Sequence, residues 1–346
     1  MSSTGQPGTH TVRIGSLTVG DGPAVVVGGA TAPTTDAAYV DVRWLSLRDD
    51  RQAPADRRHR HEAAPAAGSA AGSVAGARDG WDGPLLVEPG SPVDLPEIAA
   101  HADGVVLGAA WTGDLALVRA AAGLGLPVVL RRDPETSLDD WLDLAGRCAA
   151  EGGAAVVLCE GGRTRPADLA LLRAARERSG RPVLAAPGED AGLAGAAVAA
   201  GADGLWLAPE APAETVAAAR EAVTLIGALV RREAPATLAE ARGAIDRVDA
   251  ALAVLLERRA GLAGTVQRLK PVGGFAGRDM ERERQLVAAM ARRAPLLGEA
   301  RLAPIMNAVI ESGLHLAEEL RGDSREPADE SRRRDQALAG RHPDHD

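Results

Sequence analysis

The sequence predicts an α/β barrel followed by an all-α domain. Two patterns predict it. Between residues 24 and 209, eight short apolar runs alternate with helical segments. After residue 237 the apolar residues recur at helical spacing over one long stretch. The runs are 24–28, 39–47, 84–88, 104–108, 127–132, 154–160, 182–187 and 204–209. Most are continuous Val, Leu and Ala rather than alternating apolar and polar, the pattern of strands covered on both faces. Helical stretches at 115–124, 137–151, 166–179 and 191–200 lie between them. Eight such units predict a (β/α)8 barrel of the TIM type. An open doubly wound sheet is the alternative for the same alternation.

The flanking segments follow from composition. Residues 1–10 read as a flexible tail, and TVRIGSLTVGDG (11–22) reads as a small hairpin opening a barrel domain of residues 11–230. Residues 48–82 are low-complexity Arg, Ala, Gly and Ser, expected to be a disordered insertion. His59 and His61 fall there, in a solvated charge run without further ligands beside them. Residues 231–236 form a linker. Thr237, with Glu240 three residues on, is a capping box that starts the helical domain, 237–321. Residues 322–346 are charged and without periodicity, expected to be a disordered tail.

The formal net charge is −9, and the chain has one Tyr, one Phe and five Trp. No basic patch interleaved with aromatics is present, so nucleic acid is not an expected partner. No apolar run is long enough to span a membrane, and no hydrophobic leader opens the sequence. Two cysteines, Cys148 and Cys159, make no disulfide framework, which places the expected protein in a reducing cytoplasm.

The chemistry concentrates in residues 242–283. Ile245, Val248, Leu252, Leu255, Leu256, Leu262, Val266 and Leu269 form the apolar stripe of one amphipathic helix. Lys270, at its end, is the only lysine in a chain that otherwise uses arginine. Arg259 and Lys270 are three turns apart, roughly 16 Å along the axis on nearly the same face, a span two long side chains can close around a small dianion. Arg242 stands about 25 Å from Arg259 on another face, so the two share a site only if a second copy packs against the first. Asp279, Arg282 and Glu283 fall at i, i+3 and i+4, one face of a second helix. The ERER run alone would read as a solvated helix face; the joint spacing with Arg242, Arg259 and Lys270 argues for a site.

That spacing, from Arg242 through Arg284 without a gap, resembles the all-helical chorismate mutases. The resemblance implies a three-helix protomer in an intertwined dimer, with two sites built from both chains. It implies that Arg259 and a partner copy's Arg242 hold the carboxylates of chorismate. Lys270 would bind a carboxylate and the ether oxygen, Arg282 would add positive charge, and Asp279 and Glu283 would hold the ring hydroxyl. No metal or cofactor is implied. The rearrangement of chorismate to prephenate has no nucleophile and no proton transfer, so a protein acts by holding the reactive conformer and stabilising charge on the breaking C–O bond. Arginine forks suit the carboxylates. The family closes its site with a polar residue on the third helix. Here the aligned position is Ala317, beside Leu316, in VIESGLHLAEEL. Neither donates a hydrogen bond, which leaves Ser312, His315 and Glu318 as candidate third-helix contacts.

The barrel region resembles the 3-deoxy-D-arabino-heptulosonate 7-phosphate (DAHP) synthases, over about residues 11–230 with one large gap. LRRDPETSLDD, VVLCEGGRT, PVLAAPGEDAG and AAVAAGADGLWLAPEAPAE carry the likeness. That family holds a divalent metal with Cys, His, Glu and Asp. Here the corresponding positions are near Ala30 and at Ala186, Glu189, Ala208 and Glu210, and the lysine of its LKRG motif is Arg131. Arg163 survives in the GGRT segment, and Cys159 is a strand residue rather than the metal cysteine. The expectation is a chorismate mutase, a homodimer or larger homo-oligomer, carried on a barrel without condensation chemistry. The competing expectations are isochorismate-pyruvate lyase on the same helical fold, and a non-catalytic regulatory protein of the shikimate pathway.

Overall fold

The computed structural model describes residues 11–28, 40–48, 73–108, 111, 113–152, 155–162, 165–188, 190–270, 272 and 274–339; the side chains of 191 and 321–339 lie outside that description. The chain divides into two compact units, Met1–Ala250 and Ala251–Asp346.

The first unit opens with a hairpin, β1 (Val12–Ile14) and β2 (Leu17–Val19), paired antiparallel. Eight parallel strands follow: β3 (Val25–Val27), β4 (Arg43–Ser46), β5 (Leu85–Glu88), β6 (Gly104–Leu107), β7 (Val128–Arg131), β8 (Val156–Glu160), β9 (Val183–Ala185) and β10 (Gly204–Trp206). Their spatial order is β3-β10-β9-β8-β7-β6-β5-β4, so the first strand lies beside the last and all others follow the sequence. That is the order of a barrel; a doubly wound sheet reverses direction at a switch point. At the seam between β3 and β4 the Gly28 amide donates to the Val42 carbonyl at 3.2 Å. Gly28 has φ +94, and a Cβ there would lie 2.3 Å from the Leu207 carbonyl oxygen, so this close approach requires glycine.

Helices α1 (Val74–Arg78), α2 (Leu95–His101), α3 (Leu115–Ala122), α4 (Leu138–Gly152), α5 (Leu169–Ser179), α6 (Ala191–Ala199) and α7 (Ala213–Val230) are the outer layer. Asp114, Asp168 and Asp190 cap α3, α5 and α6, each accepting from the first-turn amides. Alternation along the strands sends Leu85, Val87, Val105, Leu107 and Leu130 outward against the helices. Leu86, Val106, Val129, Val157 and Leu184 point inward, where Trp44 and Trp206 meet with ring centroids 4.9 Å apart. Val12, Ile14, Leu17 and Val19 of the hairpin join this inner cluster. Arg231 ties the hairpin down, donating to the Gly20 and Gly22 carbonyls and to Asp203, which is fully buried and also pairs with Arg176.

Two expected boundaries shift. Residues 73–82, assigned by composition to the insertion, hold α1, with Val74 and Trp81 buried in the outer core. Ser73 caps the helix and Arg78 anchors it to Asp103, so local capping and two large apolar side chains outweigh a low-complexity context. Residues 1–10, 49–72 and 340–346, with His59 and His61, lie outside the described residues. At the other end, the backbone is helical as far as Ala339, past the expected end at 321. Extending an existing helix needs no new nucleus.

Helix α8 (Leu238–Leu269) starts on the expected capping box: Thr237 Oγ1 accepts from the Glu240 amide, and Glu240 Oε2 accepts from Thr237 N–H, both at 3.2 Å. It runs into the second unit, which adds α9 (Met280–Ala291) and α10 (Gly298–Ala339). Ala251, Leu302, Met306, Leu314 and Ala317 are its buried apolar residues. The stripe read from the sequence lies mostly exposed in the single chain: Leu252, Leu255, Leu262 and Leu269 are 49, 50, 61 and 79 % exposed.

Candidate active site

The second unit holds an open cavity of about 240 Å³. Its first wall is the last three turns of α8, with Arg259, Leu262, Val266, Gln267 and Lys270. Helical spacing puts these on one face, because they recur at three, four and seven residues. The second wall is the start of α9, preceded by a short 3-10 turn, Phe275–Gly277, that returns the chain across the end of α8. It supplies Arg278, Asp279, Arg282, Glu283 and Leu286. Ile310 and Leu314, one turn apart on α10, close the floor.

Most of the polar side chains are held by an identifiable contact. Lys270 Nζ donates to the Gly277 carbonyl at 2.7 Å, which fixes the ammonium over the cavity and leaves it two more protons to donate. Arg259 reaches the Val309 carbonyl only at 3.4 Å. Asp279 is the N-cap of α9, its Oδ1 accepting from the Arg282 amide at 3.0 Å. Glu283 is gripped through both oxygens by Arg278, at 3.1 and 2.6 Å. This hydrogen-bonded carboxylate raises the Arg278 pKa above its ordinary value. Arg259 and Arg282 make no ion pair among the described residues.

Of the residues singled out in the sequence, Arg259, Lys270, Asp279, Arg282 and Glu283 meet in this cavity. Arg242 does not line it; it is exposed, far up α8. The third-helix candidates do not line it either. Ser312 Oγ bonds back to the Ala308 carbonyl, and His315 packs on Phe275 with centroids 5.0 Å apart. Glu318 comes nearest: a Cβ on Gly274, which lines the cavity at φ +68, would sit 2.8 Å from Glu318 Oε1. Ala317 is buried in the unit's core. Sequence reasoning missed two polar lining residues, Gln267 and Arg278. Gln267, 9 % exposed, accepts the Gly274 amide at 2.8 Å and so shapes the loop; its signal was a polar residue one turn before Lys270 on the apolar face. Arg278 was visible as the residue next to Asp279 in RDMERER but was left out of the spacing pattern.

Residues 241–318 match the family model for type II chorismate mutases. The match covers the cavity lining and reaches into all three helices around it. For the first unit, a phospho-2-dehydro-3-deoxyheptonate aldolase of Thermotoga maritima is 30 % identical over 126 residues, which are 32 % of this chain and 37 % of that relative. The chain thus matches well under half the length of that curated protein. Two solved structures of DAHP synthase from Thermotoga maritima superpose at 20 % identity: one with a TM-score of 0.46, covering 60 % of this chain and 67 % of that one, and a truncated form with 0.47, covering 65 and 93 %.

Two of the positions that the sequence aligns with DAHP-synthase metal ligands carry no side-chain donor. Ala186, 3 % exposed after β9, and Ala208, after β10, offer no donor atom, and Glu210 is exposed. The positions at Ala30 and Glu189, and Arg163, lie outside the described residues. Among the described residues no three His, Cys, Asp or Glu converge as metal ligands. Cys159 is fully buried on β8, and burial pushes its thiol up to about 12; burial likewise raises Cys148 to about 11. At both positions burial favours the neutral thiol. No helix among the described residues is long and apolar enough to cross a membrane.

Proposed function

We propose that the chain is a chorismate mutase, converting chorismate to prephenate. The observation that carries this is the convergence of Arg259, Lys270 and Arg282 on one apolar-floored cavity with Asp279 and Glu283 at its rim. Among the described residues the lining is cationic and apolar, with carboxylates at the rim, which suits holding and polarising a dianion. A dicarboxylate is met by cations that are not already neutralised, and the walls of Leu262, Val266, Ile310 and Leu314 lower the local dielectric, strengthening those contacts. Lys270, fixed by the Gly277 carbonyl, is aimed at the ether oxygen, where negative charge grows as the C–O bond breaks. Glu283 and Asp279 accept from the ring hydroxyl.

The site is completed by a second copy. The exposed apolar stripe of α8 is the surface that a homodimer would cover, and the partner copy's equivalent of Arg242 would enter the cavity to hold the second carboxylate. The test is complementation. Arg242→Ala and Lys270→Ala chains, each nearly inactive alone, are co-expressed from differently tagged copies. Recovery to about a quarter of wild-type activity is expected, since half of randomly assorted dimers are mixed and each mixed dimer has one intact site. No recovery in isolated mixed dimers contradicts the shared site.

The barrel serves as a scaffold or regulatory domain without condensation chemistry, and the reduced, buried thiols fit a cytoplasmic protein. Mutase activity is expected to survive excess chelator unchanged. Phosphoenolpyruvate with erythrose 4-phosphate is expected to release no phosphate, with or without added manganese. Phosphate release in that assay contradicts an inactive barrel.

A further inference from the structure

Arg278 lies at the cavity edge, yet its charge is spent inside the protein. Its Nε and one terminal nitrogen grip the two oxygens of Glu283, at 3.1 and 2.6 Å. The same terminal nitrogen reaches Asn307 Oδ1 at 2.8 Å, and the other reaches Glu311 Oε1 at 3.2 Å. Four of the five guanidinium protons are therefore committed. Two carboxylates face this one cation, so Arg278 cannot serve a dianionic substrate as Arg259 and Arg282 can. The side chains of Arg278 and Glu283 are only 15 and 19 % exposed, and the fork-to-fork contact sets both distance and plane. Asn307 and Glu311 are four residues apart on α10, so they hold the guanidinium from the opposite side and fix where the fork points.

We propose that Arg278 is a positioning residue: anchored by Asn307 and Glu311 of α10, it aims the Glu283 carboxylate into the cavity so that Glu283 accepts the substrate's ring hydroxyl. This rests on the proposed mutase reaction. Without the fork, Glu283 is free to turn toward solvent, and the hydroxyl loses an acceptor held in place before the substrate arrives.

The experiment is a double-mutant cycle in the full-length chain, read as kcat/KM for chorismate. Arg278→Met is expected to lower kcat/KM on the order of 10- to 100-fold, the cost of misplacing a contact group. In a Glu283→Gln background the same change is expected to cost less than about threefold, because contacting positions do not add. An analogue lacking the ring hydroxyl is expected to be turned over equally by wild type and Arg278→Met. Arg278→Lys keeps the charge but not the fork, so it should show the same pattern and stands in if the methionine variant fails to fold. Equal losses in both backgrounds, or an undiminished loss with the analogue, reduce Arg278 to a staple between α9 and α10 and overturn the inference. If the wild-type chain does not turn over chorismate, the proposed function falls and takes the inference with it; turnover with additive losses overturns the inference alone.

Discussion

Lys270→Ala is expected to lower kcat by about two to three orders of magnitude, the effect of losing a donor worth roughly 3–4 kcal/mol in the transition state. Three features make this loss larger than that of any neighbour. Lys270 is the one cation at the end of α8 that is fixed on a backbone carbonyl, Gly277, while aimed at the cavity. The charge it meets is absent in the ground state and grows as the bond breaks, so the contact acts on kcat rather than on KM. The third helix lines the cavity only with Ile310 and Leu314 among the described residues, which donate no hydrogen bond, and Ala317 occupies the aligned position. Arg242→Ala removes a carboxylate contact that is also made in the ground state, so much of its effect should fall on KM. Asp279→Ala should cost less in kcat and should show part of its loss as stability, because Asp279 caps α9; such caps contribute about 1 kcal/mol. Steady-state kinetics of the three variants decide the ranking. A Lys270→Ala enzyme within about tenfold of wild type contradicts the assigned role.

Glu160→Ala is expected to destabilise the barrel by about 3–5 kcal/mol, because it leaves a buried charge without its partner. Arg132 and Glu160, on neighbouring strand ends, are 6 and 2 % exposed. Arg132 donates Nε to Glu160 Oε2 at 2.5 Å and a terminal nitrogen to Oε1 at 3.1 Å. Glu160 also accepts the Asp168 amide at 3.3 Å, joining β8 to the start of α5. Its hydrogen bond is the main reason the Arg132 pKa is raised, and removing the carboxylate leaves the opposing cost of burial without that compensation. Thermal unfolding followed by circular dichroism should show the barrel transition falling on the order of 10 °C. Arg132→Met with Glu160→Leu together should recover most of that loss, since a buried pair replaced by apolar side chains of similar size is often neutral. A single-variant loss below about 1 kcal/mol contradicts the buried pairing.

The barrel was legible in the sequence because its strands are continuous apolar runs bounded by Gly, Pro and charged residues. All eight appear where expected, shortened at their ends. The seam was not legible. Nothing local in AVVVG or VRWLS says that β3 pairs with β10 rather than with a neighbour in sequence, because strand pairing is non-local. Residues 73–82 were misjudged because Val74 and Trp81 are buried by contacts distant in sequence, which composition windows average away. In the second unit, periodicity revealed the face carrying Arg259 and Lys270, and i, i+3, i+4 spacing joined Asp279, Arg282 and Glu283. The turn that brings these faces together depends on Gly274 at positive φ and on Gln267 receiving its amide, two details without a periodic signature. Arg278 escaped because a salt-bridge partner on α10 cannot be read from α9 alone.

The most direct test is product stoichiometry. The purified chain is incubated in chelator with chorismate and, separately, with isochorismate; loss of chorismate absorbance is followed alongside phenylpyruvate after acid, and pyruvate is assayed in the second reaction. The proposed site predicts one phenylpyruvate for each chorismate consumed, with no pyruvate formed from isochorismate. Pyruvate from isochorismate without phenylpyruvate would identify the lyase, and no turnover of either substrate would contradict a catalytic site and leave a binding protein.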